Sequence, residues 1–461
     1  MRSRNSLKFI LPLLIVLAFL AGAMSSKITL PPARAATDTD YNNINLLISV
    51  IGLVQDYYVE EKTQDELIVD AVRGMVSSLD PHSAYLTAEE YKELQEDTKG
   101  SFSGVGIEIT PKDGILTVVS PIEGSPADLA GVKAGDHIIK IDGTLTKSMT
   151  FTEAVKAIRG ERGSKVTLSL MRDGESQLID VTIVRDVIPV HSVRYNVLEN
   201  GYGYIRIASF QENTTNDLIK ALQTLQSQPT PMRGLVLDLR NDPGGLLTQA
   251  VDVADQFLQE GQLIVSTKGR DLGGSDTGER YTAHYARRYT AAENYPVVCL
   301  VNNGSASASE IVAGALQDHK RAIIMGTTTF GKGSVQTVLP LDRFTTLNRG
   351  DALKLTTARY YTPSGRSIQA EGIVPDMEVP LEVPGEKLDP NGELREKDIQ
   401  GAMSSQNQAG GASQNVSKLQ YPLDKLAVDN QLQRALDQLK VWHVYFDSYL
   451  PTPVTPKADA E

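Results

Sequence analysis

Asn302-Asn303-Gly304-Ser305-Ala306-Ser307-Ala308-Ser309-Glu310 is followed, beyond the next apolar segment, by Thr329-Phe330-Gly331-Lys332-Gly333-Ser334-Val335-Gln336. The first stretch sets three serines in a turn of small residues. It lies between the apolar run Val297–Val301 and a helical pattern from about Ser309 to Gln317. The second sets a lysine between two glycines. A serine hydroxyl is a weak nucleophile until a base takes its proton, and a desolvated neutral lysine is such a base. A strand-to-helix turn also aims the first N–H groups of the helix at a developing oxyanion. The pair therefore reads as a serine–lysine hydrolase. The residues alone leave Ser305, Ser307 and Ser309 open as the nucleophile, with Ser309 a plausible N-cap.

Lys332 stands where a surface charge is unexpected, after the apolar run Ala322 to Met325. Burial would lower its pKa, and Gln336 is spaced to orient its amine. Gly326-Thr327-Thr328-Thr329-Phe330-Gly331-Lys332 also fits a phosphate-binding loop, but that motif needs Ser or Thr next and then a helix. Gly333 and a strand-like run follow instead. The six histidines, His82, His137, His191, His284, His319 and His443, offer no obvious base for the serine turn, and no G-x-S-x-G elbow frames it. No His-x-x-x-His or carboxylate cluster suggests a metal, and a lone cysteine, Cys299, excludes a multi-cysteine site.

Working outward, residues 187–380 alternate strand and helix patterns: Tyr202–Ile207, Asp217 to Leu225, Gly234 to Leu239, Leu246 to Phe257 and Val297–Val301. This predicts a largely parallel layered α/β sheet with its site at the strand C-terminal ends. The turn Arg240-Asn241-Asp242-Pro243-Gly244-Gly245 would lie at the same end as the serines. Residues 98–186 are short β-type runs between glycine turns, with helical runs at Pro126 to Ala130 and Phe151–Ile158. Residues 36–97 read as helices, with Asp80-Pro81-His82-Ser83 a break and Thr87 to Glu90 a capping box; no chemistry is apparent there. Residues 381–417 read as a flexible linker, and 418–461 as a helix from about 424 to 446 and a polar tail. The terminal helical patterns look like assembly elements.

With 461 residues, about three domains are expected. A net charge of -12 argues against a nucleic-acid partner. Arg2, Arg4 and Lys8 before the apolar run Phe9 to Met24, and Pro31-Pro32-Ala33-Arg34-Ala35 after it, read as an export signal over 1–35 or as a retained inner-membrane anchor. Either places the body outside the cytoplasm, as in a periplasm.

The pieces Ser103-Gly104-Val105-Gly106-Ile107, Gly124-Ser125-Pro126-Ala127, Ala130 to Asp136 and Ile141-Asp142-Gly143 resemble a PDZ domain. The resemblance implies capture of a substrate C-terminus at Gly104, Val105, Gly106 and Ile107, with the Phe151–Ile158 helix as the other wall. Together with Gly304 to Leu316 and Thr329 to Gln336, the chain from about 41 to 380 resembles the carboxyl-terminal processing (tail-specific) serine proteases. That resemblance implies a multidomain α/β fold with a ClpP/crotonase-like core, an inserted PDZ domain and terminal helices. It implies Ser307 as nucleophile, Lys332 as base and Gln336 as its support. Backbone N–H groups of Ala308 and of Gly244 or Gly245 would be oxyanion donors, Gly244 ahead of Gly245. It implies no cofactor and no metal, unfolded or tail-exposed protein substrates, a homodimer, and room for an activator or adaptor. A peptide-binding scaffold, or a protease gated by a partner, is the alternative function.

Overall fold

The computed structural model describes residues 38–112, 114–270, 279–287, 295–345, 349–382, 395–403 and 429–449. The expected export segment and the polar tail lie outside them. Of the described residues, 38–72 form one unit and those from Arg73 onward a second.

The predicted helices form where apolar side chains recur at helical spacing. They are α1 (Asp38–Tyr57), α2 (Gln64–Ser77) and α3 (Ala88–Lys99). Thr87 and Glu90 close the expected capping box of α3, and Gly100, at φ 68°, ends it in the left-handed region. Between α2 and α3, the expected break at Asp80 to Ser83 leads into a short strand that the helical reading did not include, β1 (Ala84–Leu86).

The next elements are β2 (Ser101–Gly104), β3 (Ile107–Lys112), β4 (Ile115–Pro121), α4 (Pro126–Leu129), β5 (His137–Ile141), β6 (Thr144–Leu145), α5 (Phe151–Ile158), β7 (Lys165–Met171), β8 (Ile179–Val184) and β9 (Asp186–Pro189). Strands β3-β4-β5-β7-β8 make one sheet, with β6 on β5. It wraps a core of Val105, Val118, Ile138, Val166, Leu168 and Leu170. Strand β2 pairs antiparallel with β9, so the domain's entry and exit run side by side, as an insertion requires. Strand β3 is an edge of its sheet, beside the Gly104-Val105-Gly106 turn.

The remaining elements are β10 (Val193–Val197), β11 (Tyr202–Ile207), α6 (Thr214–Gln226), β12 (Gly234–Asp238), α7 (Leu247–Ala254), β13 (Leu263–Arg270), β14 (Glu279–Tyr285), β15 (Val297–Val301), α8 (Ala308–Asp318), β16 (Ile323–Gly326), β17 (Ser334–Pro340), β18 (Ala352–Tyr361), β19 (Met377–Glu378) and α9 (Asn430–Tyr449). The expected parallel sheet is β11-β12-β15-β16-β19, with β10 antiparallel on its edge. Its strands read as unbroken apolar runs because both faces are covered. Leu235, Leu237, Cys299, Val301 and Ile324 pack on α6, α7 and α8. Val236, Val298, Leu300 and Met325 alternate onto the other face, against Leu432, Ala435 and Leu439 of α9. Each such leucine or valine contributes roughly 1.5–3 kcal/mol on burial.

A second, antiparallel sheet was not foreseen: β1-β18-β13-β14, with β17 also on β18. The C-terminal helical pattern, which looks like an assembly element in the sequence, also serves the core. The N-terminal half of α9 packs inside the fold through Leu432, Ala435 and Leu439, while Val441, Trp442 and Val444 stay exposed, and buried Arg240 holds its start through Asp429 at 2.7 Å and Gln431 at 2.8 Å while forking onto Asp238. Residues 395–403, inside the stretch read as a flexible linker, include a 3₁₀ turn, Glu396–Asp398, whose Glu396 is fully buried.

Candidate active site

Strand order assembles the site. β12, β15 and β16 are neighbours and parallel, so the segments leaving their C-terminal ends meet. These segments are the Asn241–Gly245 turn, the Gly304–Ser307 turn and the loop 327–333. Ala306 N donates to Asp242 O at 2.9 Å, and Phe330 N to Ser305 O at 3.1 Å. Asn241 and Asn302 exchange hydrogen bonds at 2.8 and 2.9 Å, tying the first two turns.

The three serines separate by their partners. Ser305 Oγ, fully buried, donates to Leu239 O at 2.8 Å. Ser309 Oγ, also fully buried, donates to Asp242 O at 3.0 Å. Both are occupied by the scaffold. Ser307 is the half-buried one. It stands at the N-cap of α8 with φ 56° and ψ -110°, a conformation strained for a residue with a Cβ. Its hydroxyl meets that of Tyr360, which in turn donates to Lys332 O. Ala308 N follows at the helix start, and no described group accepts its hydrogen. The same holds for Gly245 N. Gly244 N, by contrast, donates to Asp242 Oδ1 at 2.8 Å. A Cβ on Gly244 would lie 2.8 Å from Ser307 Cβ and 2.9 Å from Ala308 N, so glycine lets this turn approach the serine.

Lys332 is largely enclosed. Burial pushes its ammonium below the usual lysine range, Lys354 pushes the same way, and the charges of Glu396, Glu310 and Asp80 oppose them. Among the described residues no hydrogen bond joins Lys332 Nζ to Ser307 or to Gln336. Gln336 sits where the β17–β18 register shifts, opposite an extra residue in β18, and donates to Ser334 Oγ at 2.9 Å and Thr356 Oγ1 at 3.2 Å. The expected trio thus shares one locality without yet forming a proton path.

What binds that locality together is Glu310, in the first turn of α8. Its carboxyl is fully buried and accepts four hydrogen bonds. Oε1 takes Thr329 Oγ1 at 2.5 Å and Gly331 N at 2.7 Å. Oε2 takes Ser307 N at 2.8 Å and Lys332 N at 2.9 Å. Burial pushes its pKa up to about 7 against those four bonds. The signal was in the chain: a Glu three residues after a helix-start serine is a capping-box pattern.

Further braces come from segments read as inert. Asp80 Oδ1 accepts from Thr356 Oγ1 at 3.1 Å, next to Gln336. Gln369 Oε1 accepts from Gly333 N at 2.9 Å, and its Nε2 donates to Glu396 Oε1 at 3.0 Å and to Met403 O at 3.0 Å. Glu396 also meets His82 Nε2 at 2.8 Å. The base loop is therefore braced by Gln369 and by Glu396, whose N–H donates to Phe330 O at 3.0 Å, while residues 80–83 reach it only indirectly, through His82 on Glu396 and Asp80 on Thr356. In the β-rich domain, Val105 is buried, and Gly106, at φ 77°, has its carbonyl fixed by Ile122 N and Ser125 Oγ, both at 2.9 Å. Ile107 begins edge strand β3.

The chain is similar to known proteins over most of its length. Residues 201–379 match the model of peptidase family S41, and residues 103–183 that of the PDZ domain. A carboxy-terminal-processing protease of Bartonella bacilliformis is 43% identical over 404 residues, covering 86% of this chain and 90% of that protein. The carboxy-terminal processing protease CtpA of Bacillus subtilis is 39% identical over 377 residues, covering 80% and 76%. Among solved structures, the photosystem II D1 C-terminal processing protease is 31% identical and covers 75% of this chain and 94% of its own, with a TM-score of 0.42. With nine-tenths of a relative's length matched at that identity, the chain belongs to peptidase family S41 as a carboxy-terminal-processing serine protease with a PDZ domain.

Proposed function

We propose that Ser307 and Lys332 form the catalytic dyad of an exported endopeptidase that selects proteins by their C-termini. The observation that carries this reading is the Glu310 carboxylate, which ties the backbones of Ser307 and Lys332 to one pair of oxygens. Substrate entry turns the Ser307 hydroxyl from Tyr360 toward Lys332. Neutral Lys332 Nζ takes the hydroxyl proton as Oγ attacks the peptide carbonyl. The oxyanion rests on Ala308 N and Gly245 N. Gly244 N, the donor first favoured from the sequence, is already given to Asp242. Lys332 returns its proton to the leaving amine, and water then hydrolyses the acyl-enzyme.

The tail is taken up as a strand on the open edge of β3. Gly104, Val105, Gly106 and Ile107 receive its carboxylate and α5 forms the opposite wall. Gln336 supports the lysine through the Thr356–Asp80 chain once the amine has turned inward. The unformed Ser307–Lys332 contact supports gating by substrate or by an activator protein. Export rests on the charged and apolar N-terminal segment. A homodimer would use the apolar side of α1, where Ile44, Leu47 and Leu53 are exposed.

The test is cleavage of an unfolded reporter with an apolar C-terminal tail, free or amidated. The free tail is expected to be cleaved with a KM at least about tenfold lower, one charge-assisted contact being worth roughly that much. Equal cleavage of both would remove the carboxylate from the reading. Binding without cleavage would favour the scaffold.

A further inference from the structure

Asp242 takes no part in the chemistry above, yet it sits at the centre of the oxyanion turn. Its side chain is fully buried. Oδ1 accepts from Gly244 N at 2.8 Å, while Oδ2 has no hydrogen-bond partner. Its carbonyl accepts from Ala306 N and from Ser309 Oγ, at 2.9 and 3.0 Å, so the same residue grips the turn that bears Ser307. A carboxylate with one dry, unpaired oxygen would cost several kcal/mol. A carboxylic acid would not, because its hydroxyl has somewhere to go. Ser309 Oγ gives its own hydrogen to the Asp242 carbonyl, lies beside the carboxyl and keeps a lone pair.

We propose, on the basis of the dyad reading above, that Asp242 is a positioning residue for the oxyanion hole and works as a neutral acid. Its carbonyl oxygen Oδ1 holds Gly244 N–H away from the substrate, which turns the Gly244–Gly245 peptide so that Gly245 N stands beside Ala308 N. Its Oδ2 hydroxyl is free to bond Ser309. Burial pushes this carboxyl well above the usual range. The Gly244 bond, Ser309 and the Arg206 guanidinium oppose the shift, and Asp238 adds to it. Arg206 is engaged elsewhere, donating to Arg240 O at 3.0 Å and lying 3.4 Å from Asp238, so the charge facing Asp242 is already matched.

The experiment compares Asp242→Asn and Asp242→Ala with wild type in two assays. An amide, like a neutral acid, sets an acceptor oxygen beside an uncharged hydrogen-donating group, so Asp242→Asn should keep kcat within about threefold. Asp242→Ala frees the Gly244 peptide and should lower kcat about 30-fold or more with KM within about twofold, since a misplaced oxyanion donor acts in the transition state. The second assay is thermal unfolding against pH. A carboxyl whose folded pKa is raised stabilises fully below its unfolded value of about 4 and loses that contribution as pH rises. The Tm of Asp242→Asn relative to wild type should therefore climb from pH 4 upward.

The inference is overturned if Asp242→Asn is as impaired as Asp242→Ala, if Asp242→Ala matches wild type, or if the Asn–Asp difference in Tm is flat or falls with pH. Should Asp242→Ala not fold, the Asn variant decides in both assays. The dyad reading fails separately, through hydrolysis that survives Ser307→Ala, and the thermal assay does not depend on it.

Discussion

Ser307→Ala is expected to lower hydrolysis of a tail-bearing reporter at least about 10⁴-fold, the scale on which a serine nucleophile is missed. The fold and the binding of the tail should be unchanged. Ser305 and Ser309 cannot substitute, because each is buried with its hydroxyl committed to a neighbouring carbonyl. Alanine keeps the Cβ, so the strained backbone at φ 56° is neither relieved nor worsened. Ser307→Gly removes that Cβ and should be equally inactive while gaining roughly 1 kcal/mol of stability in urea unfolding. An inactive but stabilised glycine variant is the signature of strain stored for function. Turnover near the wild-type rate in either variant would place the nucleophile elsewhere.

Glu310→Gln should be the next most damaging change. Four donors converge on the Glu310 carboxylate. Glutamine offers a single oxygen and presents its amide hydrogens to two of those donors. The expected cost is about 2–4 kcal/mol of stability, the worth of two buried hydrogen bonds left unmade, and roughly a 100-fold loss in kcat/KM as the serine and lysine backbones separate. The wild-type pH dependence has a definite sign. The folded pKa, about 7, lies above the unfolded value. The stabilising contribution is therefore complete below about pH 4.5 and is lost as pH rises to 7, an amount of about 3 kcal/mol. Catalysis needs the ionised form, because a proton on either oxygen displaces a donor. Activity should thus rise around pH 7, at the upper end of the interval in which stability falls, and that step should vanish in Glu310→Gln. Parallel loss of both on acidification would contradict this role.

Much of this was readable before any coordinates. The β-rich domain announced itself through glycines at tight turns and through strands such as His137–Ile141 and Lys165–Met171. The parallel strands were legible because Val297–Val301 and Gly234–Asp238 are buried on both faces and read as plain apolar runs. Strand β18 was not. Its Lys354, Thr356 and Arg359 break the apolar pattern, because one of its faces meets the site rather than a core. The serine turn and Lys332 were legible by composition. Their supports were not, for a common reason: they act through contacts distant in the chain. Asp80 reaches Thr356 across 276 residues of chain and His82 reaches Glu396 across 314, from a break between helices and a stretch of linker-like composition. Glu310 was adjacent to the motif but looked like helix filler, since a capping residue and a buried hub share the same spacing.

The most direct test of the central claim, that neutral Lys332 is the base, is kcat/KM for the free-tail reporter from pH 6 to 10, with Lys332→Arg alongside. A guanidinium keeps the charge and never yields its proton. The account predicts that wild-type activity climbs with pH as the lysine, lowered by its burial, gives up its proton, and that Lys332→Arg is at least about 10³-fold slower at every pH. A flat wild-type profile, or an arginine variant that works at the wild-type rate, would show that a positive charge and not a base is what the site requires.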